Sequence, residues 1–303
     1  MIVTASVLVA FLVGCLLGFG YYQLNYGTTV VSATPLEPSS PAEYPPSPPE
    51  APGNPGQPVL EGNPDEEPPE EETPSIAPVP EAVSPRETAE EQETPDEKVA
   101  YITIDDGPHP QNTPAILAIL EEFGIKATFF VLGTGVEKHP DLIKQIHEAG
   151  HVIGNHTYNH IYQETYASDE SFWYSVEKTE ELIFELVGYR PTLLREPGGR
   201  FRSMPEKQQM VRDRGYGLVQ WNVDSYDSRT PVPDAATIFA NVIRQAQKEK
   251  LWPAMVLLFH ETGGHESTVE ALPVIIQYLL DEGFIFKTIL EMDQDVLANL
   301  PKP

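Results

Sequence analysis

The sequence of 303 residues contains a single cysteine and far fewer basic than acidic residues. Lys and Arg number 19 against 46 Asp and Glu, which gives a formal net charge of −27 at pH 7. One cysteine cannot form an internal disulfide, so disulfides do not hold the fold together. The shortage of basic residues argues against nucleic acid as a partner, because phosphate binding depends on Lys and Arg. It also argues against electrostatic docking on anionic lipid.

The first 32 residues carry no charged side chain, and residues 2–22 are almost entirely apolar. The length of this apolar segment matches the ~20 residues that a helix needs to cross a bilayer. We expect residues 1–24 to be a transmembrane anchor, which is the favoured interpretation, or a signal segment cleaved near Val31-Ser32-Ala33. A lipoprotein is a third possibility, because residues 12–15 (Leu-Val-Gly-Cys, ending at Cys15) resemble a lipobox. All three interpretations place the rest of the chain outside the cytoplasm.

Residues 25–97 differ in composition from the rest of the chain. Within residues 33–97 there are 18 prolines and 17 acidic residues, and Arg86 is the only basic residue. The few apolar side chains of this segment cannot offset the entropy cost of ordering its backbone. We therefore predict a disordered, extended extracellular linker. A spacer role is favoured over a proline-rich ligand for a partner protein, which composition alone does not exclude.

Strand-like and helix-like segments alternate from residue 98 onward, and residues 98–303 are long enough for one sizeable core. About seven β/α units predict a parallel sheet, either doubly wound or closed into a barrel. The predicted strands are residues 99–104, 127–132, 151–153, 192–194, 218–221, 255–259 and 284–286. The predicted helices are residues 113–123, 141–149, 169–187, 205–213, 235–249 and 268–280.

Polar residues follow the predicted strands. In chain order they are Asp105 with Asp106, His156 with His160, Arg195, Asp224 with Asp227, and His260. In a parallel β/α barrel the carboxyl ends of the strands meet at one rim, where active sites lie. The sequence therefore predicts that acidic, imidazole and guanidinium groups converge at that rim.

The spacing of His156 and His160 is one helical turn, which could aim both imidazoles at one ion. Alone, such a pair is more often an accident of surface or core. Two histidines and a carboxylate with open positions form a common catalytic zinc set, and Asp105-Asp106 supplies the carboxylate. Neighbouring residues at a strand end point in different directions, so one aspartate could bind metal while the other faces the attacking water. Alternatively, Asp-Asp-Gly-Pro is an ordinary turn.

Five segments carry a family resemblance. They are 103–108 (Thr-Ile-Asp-Asp-Gly-Pro), 156–160 (His-Thr-Tyr-Asn-His), 195–199 (Arg-Glu-Pro-Gly-Gly), 221–227 (Trp-Asn-Val-Asp-Ser-Tyr-Asp) and 257–260 (Leu-Leu-Phe-His). In this order they resemble the motifs of the NodB-type polysaccharide deacetylases, carbohydrate esterase family 4. Any one motif is a weak signal, whereas five in order are specific. The resemblance covers residues 98 to about 290.

The resemblance implies a distorted (β/α)7-type TIM-like barrel that hydrolyses N-acetyl groups on sugars. It assigns Asp106, His156 and His160 to one divalent metal ion, most often zinc, with cobalt or another divalent ion as alternatives. It further implies that Asp105 is the base and His260 the acid, that Arg195 orients Asp105, and that an aspartate of the fourth motif tunes His260. We favour Asp227 over Asp224 for the last role. Substrate contacts are expected from Pro197, Gly198 and Leu258.

The chain departs from the family pattern at four positions. Ile104 replaces a phenylalanine, Gly198 stands where an aromatic residue is common, Ser228 replaces a tryptophan, and Glu261 replaces an aspartate. We expect Gly198 and Ser228 to open the groove wall and so to affect substrate shape more than activity. Glu261 and His265 are interpreted as plain loop residues, and the remaining histidines as structural or exposed: His109, His139, His147 and His151.

The anchor and linker favour a cell-wall substrate for a deacetylase of this family. We expect removal of N-acetyl groups from N-acetylglucosamine residues of peptidoglycan or a chitin-like polymer. Two alternatives stay open: an O-acetyl esterase on xylan or another glycan, and a non-catalytic carbohydrate-binding module. The net charge does not decide among them, because −16 belongs to residues 33–97 (1 basic, 17 acidic) and −11 to residues 98–303 (18 basic, 29 acidic).

Overall fold

The computed structural model describes residues 97–300. The predicted anchor or signal segment and nearly all of the predicted linker lie outside the described residues, so both stay predictions. Within residues 97–300, none of the helices combines the length and the apolar character that a membrane span requires.

Eight strands form one sheet in which every pairing is parallel. In chain order they are β1 (Val99–Gly107), β2 (Thr128–Val131), β3 (Val152–Asn155), β4 (Leu193–Leu194), β5 (Gly217–Leu218), β6 (Val223–Asp224), β7 (Met255–His260) and β8 (Ile285–Phe286). The order across the sheet is β5-β4-β3-β2-β1-β7-β6, and β8 pairs with the first residues of β1. The predicted parallel α/β fold is therefore confirmed.

The sheet must curl, because only residues 219–222 connect β5 at one end of the strand order to β6 at the other. Five Cα steps span at most about 18 Å. Seven strands laid flat would separate the outer strands by about 29 Å. Among the described residues no ladder joins β5 to β6, so the barrel stays incomplete at this point.

Nine α-helices lie within the described residues. They are α1 (Asn112–Glu122), α2 (Gly133–Lys138), α3 (Pro140–Glu148), α4 (Tyr162–Thr165), α5 (Asp169–Val187), α6 (Pro205–Asp213), α7 (Ala235–Ala246), α8 (Glu266–Asp281) and α9 (Gln294–Ala298). Short 3₁₀ helices cover Pro197–Ser203, Glu249–Ala254 and Ile289–Glu291. The longest helix, α5, begins where the Ser168 hydroxyl accepts from the Ser171 N–H at 3.2 Å and ends at Gly188 with φ 77°.

The strand predicted over residues 218–221 is wrong in its extent. β5 ends at Leu218, and β6 begins only at Val223. The chain leaves one edge of the curled sheet here and joins the opposite edge, so one continuous ladder cannot cover both segments. The helices α2, α4 and α9 were not predicted, because each has six residues or fewer and is too short to show a helical period.

The two faces of β1 explain where the polar residues gather. Ala100, Ile102 and Ile104 pack into the larger apolar core with residues of the surrounding helices. On the other face, Val99 and Tyr101 belong to a second apolar cluster inside the curled sheet, and that face continues with Thr103 and Asp105. Because strand residues alternate between faces, the interior becomes polar toward the carboxyl end of β1.

Candidate active site

A buried ion pair lies at the carboxyl end of the sheet interior. Arg195, which directly follows β4, is fully buried and donates from Nη1 to Asp105 Oδ1 at 2.7 Å and to Thr103 Oγ1 at 2.8 Å. Its Nε donates to the Val219 carbonyl at 3.1 Å, and its guanidinium lies 4.3 Å from the Phe130 ring. A buried charge of this kind is stable only when it is paired and hydrogen-bonded. Nη1 and Nε meet this requirement, whereas Nη2 is buried without a hydrogen-bond partner.

Asp106 turns toward the same centre as Asp105 because β1 bulges at this point. The pairing of β1 with β2 shifts register between Asp105 and Gly107, and Asp106 has φ 71°. A bulge re-aims a side chain that regular alternation would send to the other face. The His156 Nε2 atom consequently lies 3.7 Å from Asp105 Oδ2 and 3.3 Å from Asp106 Oδ1.

His156 and His160 lie together, but not on a helical turn as their spacing predicted. Residues 156–160 form a loop in which Thr157 and His160 have left-handed φ values of 67° and 57°. Their ring centroids are 5.3 Å apart, and His160 Nε2 lies 3.7 Å from Asp106 Oδ1. Asn155 stabilises this loop, since its Oδ1 accepts the Thr157 N–H at 2.8 Å and its Nδ2 donates to the Val176 carbonyl at 2.8 Å.

The hydrogen bonds of this group leave the right atoms free to bind a cation. His156 Nδ1 lies 2.7 Å from the Arg195 carbonyl and therefore carries a proton, which leaves Nε2 as the nitrogen that faces the two aspartates. Asp106 Oδ1 is buried without a hydrogen-bond partner. Burial alone would raise the pKa of Asp106, yet the contact with His156 and the nearby His260 and His160 lower it.

The ligand spacing fits a tetrahedral metal ion. Candidate ligand atoms of Asp106, His156 and His160 all lie within 4.8 Å of one another. Bonds of 2.0–2.1 Å around tetrahedral zinc place neighbouring ligands about 3.3–3.4 Å apart. The distances from Asp106 Oδ1 to the two imidazoles are 3.3 and 3.7 Å. Two histidines and one carboxylate, whose Oδ1 is buried without a hydrogen-bond partner, therefore fit a divalent cation.

His260 and Asp227 form the second charged pair. His260, the last residue of β7, is the register partner of Asp105 on β1. Its Nδ1 lies 2.7 Å from Asp227 Oδ1, and Asp227 Oδ2 accepts from the His260 N–H at 2.8 Å and from Thr268 Oγ1 at 2.9 Å. Burial opposes protonation of His260, but the hydrogen bond and charge of Asp227, together with the two nearby carboxylates, raise its pKa to about 9.

The alternative partner for His260 lies in a different network. Asp224 Oδ1 accepts the Tyr226 N–H at 2.8 Å, and Asp224 Oδ2 accepts from Trp221 Nε1 at 3.3 Å. His265 lies closer to the pair, with its ring 5.7 Å from that of His260, and Asp227, His260 and His265 form a second group within 4.8 Å. In that group Asp227 and His260 are already hydrogen-bonded to each other.

The residues expected to contact substrate lie on β7 and in the segment that follows β4. Leu258 on β7 lies between Thr103 of β1 and Asp224 of β6 in the sheet register. Pro197 opens the 3₁₀ helix Pro197–Ser203, and its carbonyl accepts from Tyr166 Oη at 2.7 Å. Gly198 follows with φ 73°.

The opening expected beside Gly198 is filled. A Cβ atom at residue 198 would lie 2.3 Å from Tyr162 Oη, so the phenol of Tyr162 takes the space that a side chain at 198 would need. The expectation of an open wall at Gly198 is therefore wrong in this respect. The pattern of residues around position 198 does not reveal it, because Tyr162 comes from α4, which is distant from residue 198 in sequence.

Two buried glutamates near the site were not singled out as functional from the sequence. Glu261 is fully buried, accepts from Thr113 Oγ1 at 2.6 Å, and donates its N–H to the Asp105 carbonyl at 3.2 Å. Burial raises its pKa to about 8. Glu196 is also fully buried, and its carboxylate accepts from the Phe201 N–H at 2.8 Å and from Gln220 Nε2. The interpretation of Glu261 as a plain loop residue is therefore wrong, because its hydrogen bonds connect the end of β7 to α1 and to β1.

The class of protein follows from these observations. A curled parallel sheet holds at one rim a carboxylate paired with arginine, a candidate metal-ligand set and an imidazole whose pKa is raised, which suits hydrolysis at a carbonyl centre. The comparisons with known proteins agree with this class. The family model "polysaccharide deacetylase" matches residues 92–218.

Named relatives and a solved structure are similar to this chain. A peptidoglycan-N-acetylglucosamine deacetylase of Bacillus cereus is 38% identical over 195 residues, which are 64% of this chain and 67% of that protein. The peptidoglycan-N-acetylmuramic acid deacetylase PdaC of Bacillus subtilis is 30% identical over 205 residues, 68% of this chain and 41% of that protein. The crystal structure of the Bc1960 peptidoglycan N-acetylglucosamine deacetylase superposes with a TM-score of 0.59 at 35% identity, covering 66% of this chain and 90% of that one.

The chain belongs to the polysaccharide deacetylase family, carbohydrate esterase family 4, and is a hydrolase. The resemblance that the five motifs indicated is thus confirmed. Deacetylases of this family depend on a metal ion, and the group of Asp106, His156 and His160 is a candidate for holding it.

Proposed function

We propose that this protein is a metal-dependent deacetylase that removes N-acetyl groups from N-acetylglucosamine residues of peptidoglycan and releases acetate. The observation that carries the proposal is the convergence at His156 Nε2. Carboxylate oxygens of Asp105 and Asp106, at the bulge in β1, lie 3.7 and 3.3 Å from this atom. His260 is the register partner of Asp105 on the neighbouring strand. The proposed base, one proposed metal ligand and the proposed acid are then adjacent on the paired strands β1 and β7, and the loop after β3 brings the two histidine ligands to them.

Asp106, His156 and His160 would hold the divalent metal, with zinc favoured and cobalt as the alternative. When bound, such a metal polarises an acyl carbonyl and lowers the pKa of a coordinated water toward ~7. The His156 Nδ1 contact with the Arg195 carbonyl fixes the tautomer that leaves Nε2 free for this purpose. The left-handed residues at 157 and 160 bring the second imidazole to the same oxygen of Asp106.

Asp105 is the proposed general base. Its Oδ1 is held by Arg195, which leaves Oδ2 facing His156 and able to accept a proton from the attacking water. The guanidinium itself is fixed by Thr103 and Val219, so the carboxylate has little freedom to rotate. The same residues that pair the buried charge therefore orient the base.

His260 is the proposed general acid. With its pKa raised to about 9, it carries a proton at neutral pH. Nδ1 is hydrogen-bonded to Asp227, so Nε2 is the nitrogen that can donate a proton to the amine that leaves the acyl group. An amine leaves readily only after it gains this proton. The proton taken up by Asp105 and the proton given by His260 balance the hydrolysis.

The substrate assignment rests on similarity to proteins named as peptidoglycan deacetylases, and one of these is named for N-acetylmuramic acid. We infer action outside the cytoplasm for the same reason. A retained single-span anchor with an extended linker would hold the enzyme against the cell wall. Mass spectrometry of the mature N-terminus distinguishes the retained anchor from a cleaved signal and from lipidation at Cys15.

The function is tested by measuring acetate release from purified peptidoglycan and from acetylated chito-oligomers. We expect release that stops with a chelator and returns when zinc or cobalt is added. Asp106→Ala should abolish it at every metal concentration. Glycans carrying O-acetyl groups, such as acetylated xylan, and N-acetylmuramic acid units are compared in parallel. Tight oligosaccharide binding without acetate release under all metals would instead support a binding module.

A further inference from the structure

Tyr162 is an exposed aromatic residue that lies directly beside the candidate metal ligands. Its ring centroid is 5.3 Å from that of His160, and 39% of the residue is exposed. At its other end the phenol meets Gly198, since an added Cβ there would lie 2.3 Å from Oη and 3.1 Å from Cζ. Tyr162 therefore reaches from a proposed metal ligand to the loop that follows β4.

Gly198 and Tyr162 fit each other as a pair. Residue 198 has φ 73°, a region that favours glycine, and it lacks the side chain that would displace the phenol. The wall of the site at this point is consequently built by a tyrosine from α4, and not by the loop Pro197–Ser203 itself.

The ring of Tyr162 is held in place by contacts with Tyr166 and Arg200. Tyr166 packs against it edge-on at 5.9 Å and is itself fixed, because its hydroxyl donates to the Pro197 carbonyl at 2.7 Å. The guanidinium of Arg200 lies 4.7 Å from the Tyr166 ring and 5.8 Å from the Tyr162 ring. Few side-chain rotations are then left to be frozen when a ligand binds.

A preorganised tyrosine that is 39% exposed suits a pyranose ring. The aromatic face packs against the apolar C–H groups of the sugar, and the hydroxyl can exchange hydrogen bonds with its polar substituents. The neighbouring His160 places this face next to the centre where the acetamido group would react.

We propose that Tyr162 is the platform for the sugar ring that carries the reacting acetamido group, and that it takes the place of an aromatic side chain at position 198. This inference rests on the proposed function. Tyr162 acts on binding and orientation of an acetylated pyranose and takes no part in proton transfer.

The test compares Tyr162→Ala, Tyr162→Leu and Tyr162→Phe with wild type. Steady-state acetate release from an acetylated chito-oligomer gives KM and kcat, and zinc affinity is measured on the same samples. Tyr162→Ala and Tyr162→Leu should raise KM about tenfold with kcat within about twofold, because a binding contact shared by ground and transition states is lost. Tyr162→Phe keeps the ring and should raise KM about threefold or less. Zinc affinity should stay unchanged in all three.

Phe184→Ala is the matched control. Phe184 is also 39% exposed, but it lies near the end of α5, where Arg190 covers its ring. Its loss should leave KM, kcat and zinc affinity as in wild type. Tyr162→Leu retains apolar packing against Tyr166, so it reports on the platform even where the alanine variant folds poorly.

Two outcomes would overturn the inference. An unchanged KM in both Tyr162→Ala and Tyr162→Leu, with active wild type, shows that the ring does not contact the sugar. A loss of zinc affinity that parallels the loss of activity shows that Tyr162 only supports His160. Wild type that releases no acetate from any acetylated glycan would refute the proposed function itself, and so the two failures can be told apart.

Discussion

Three side chains of the site, Asp105, His156 and His260, each use one polar atom for support and leave another toward the proposed reaction centre. Asp105 gives Oδ1 to Arg195 and keeps Oδ2, and His156 gives Nδ1 to the Arg195 carbonyl and keeps Nε2. His260 gives Nδ1 to Asp227. Because the supporting partners are buried, the free atoms hold their direction without a bound substrate.

At the level of single residues, the pair of His260 and Asp227 makes a prediction about pH. An acid must be protonated, so activity is lost as the pH rises through the pKa of His260, which is raised to about 9. Asp227→Asn removes the charge and part of the hydrogen bonding that raise this pKa. The alkaline limb of the kcat/KM profile should therefore move to lower pH, and kcat at pH 7 should fall roughly 10²-fold. An alkaline limb at the same pH as in wild type would exclude His260 as the acid.

His151 makes a separate prediction, about stability. It is buried, its Nδ1 accepts the Ala127 N–H at 3.1 Å, and burial lowers its pKa to about 4, with a smaller effect of Lys126. The unfolded chain, with a histidine pKa near 6.5, binds more protons than the folded one between about pH 4 and 6.5. The stability that neutral His151 contributes is therefore lost as pH falls through this window, by up to about 3 kcal/mol.

Urea unfolding of wild type and His151→Asn at pH 7 and pH 4.5 measures the effect. Asparagine keeps an acceptor near the Ala127 N–H but does not titrate, so the variant should lose less stability on acidification than wild type. Equal losses in the two proteins would show that His151 is not the group responsible.

At the level of elements, β1 combines two requirements in nine residues. Its alternation carries apolar side chains to both faces, and the bulge at its end turns two adjacent aspartates toward one centre. The bulge leaves Gly107 close to the buried Glu261 of the segment after β7, because a Cβ at residue 107 would lie 1.6 Å from Glu261 Oε1. The position of both aspartates thus depends on this glycine.

Gly107→Ala tests this dependence. The added methyl group overlaps a buried carboxyl group, so we expect a loss of about 1–3 kcal/mol in the free energy of unfolding and a loss of activity through displaced Asp105 and Asp106. Glu261→Ser removes the overlapping atoms. In a double-mutant cycle the cost of Gly107→Ala should shrink by at least half when serine replaces Glu261. Strict additivity would place the strain elsewhere in β1.

At the level of the whole molecule, the sequence pattern predicts the architecture better than the details of the site. The alternation of strand-like and helix-like segments indicates the parallel sheet, and the order of the motifs identifies the residues that meet at its rim. The left-handed loop at 157 and 160, the Tyr162 side chain at Gly198 and the buried position of Glu261 were not predicted. Each of these depends on contacts between segments distant in sequence, which local spacing does not encode.

Metal binding should stabilise the folded chain as a whole, because the proposed ligands join β1 to the loop after β3. Zinc at about 100 times its Kd adds roughly 2.7 kcal/mol, or a rise in Tm of about 5–10 °C for a domain of this size. In the group of Asp106, the distances of 3.3 and 3.7 Å from Oδ1 to the two imidazoles are near the ligand spacing of tetrahedral zinc. Asp227 and His260, at 2.7 Å, are at hydrogen-bond distance.

Thermal unfolding with zinc and with a chelator therefore distinguishes the two groups. Asp106→Asn should abolish the zinc-dependent rise in Tm. Asp227→Asn should keep the rise while losing activity, because its partner His260 acts on the proton and not on the metal. If the rise survives in Asp106→Asn and disappears in Asp227→Asn, then the metal binds at Asp227, His260 and His265, and the roles assigned to the two groups must be exchanged.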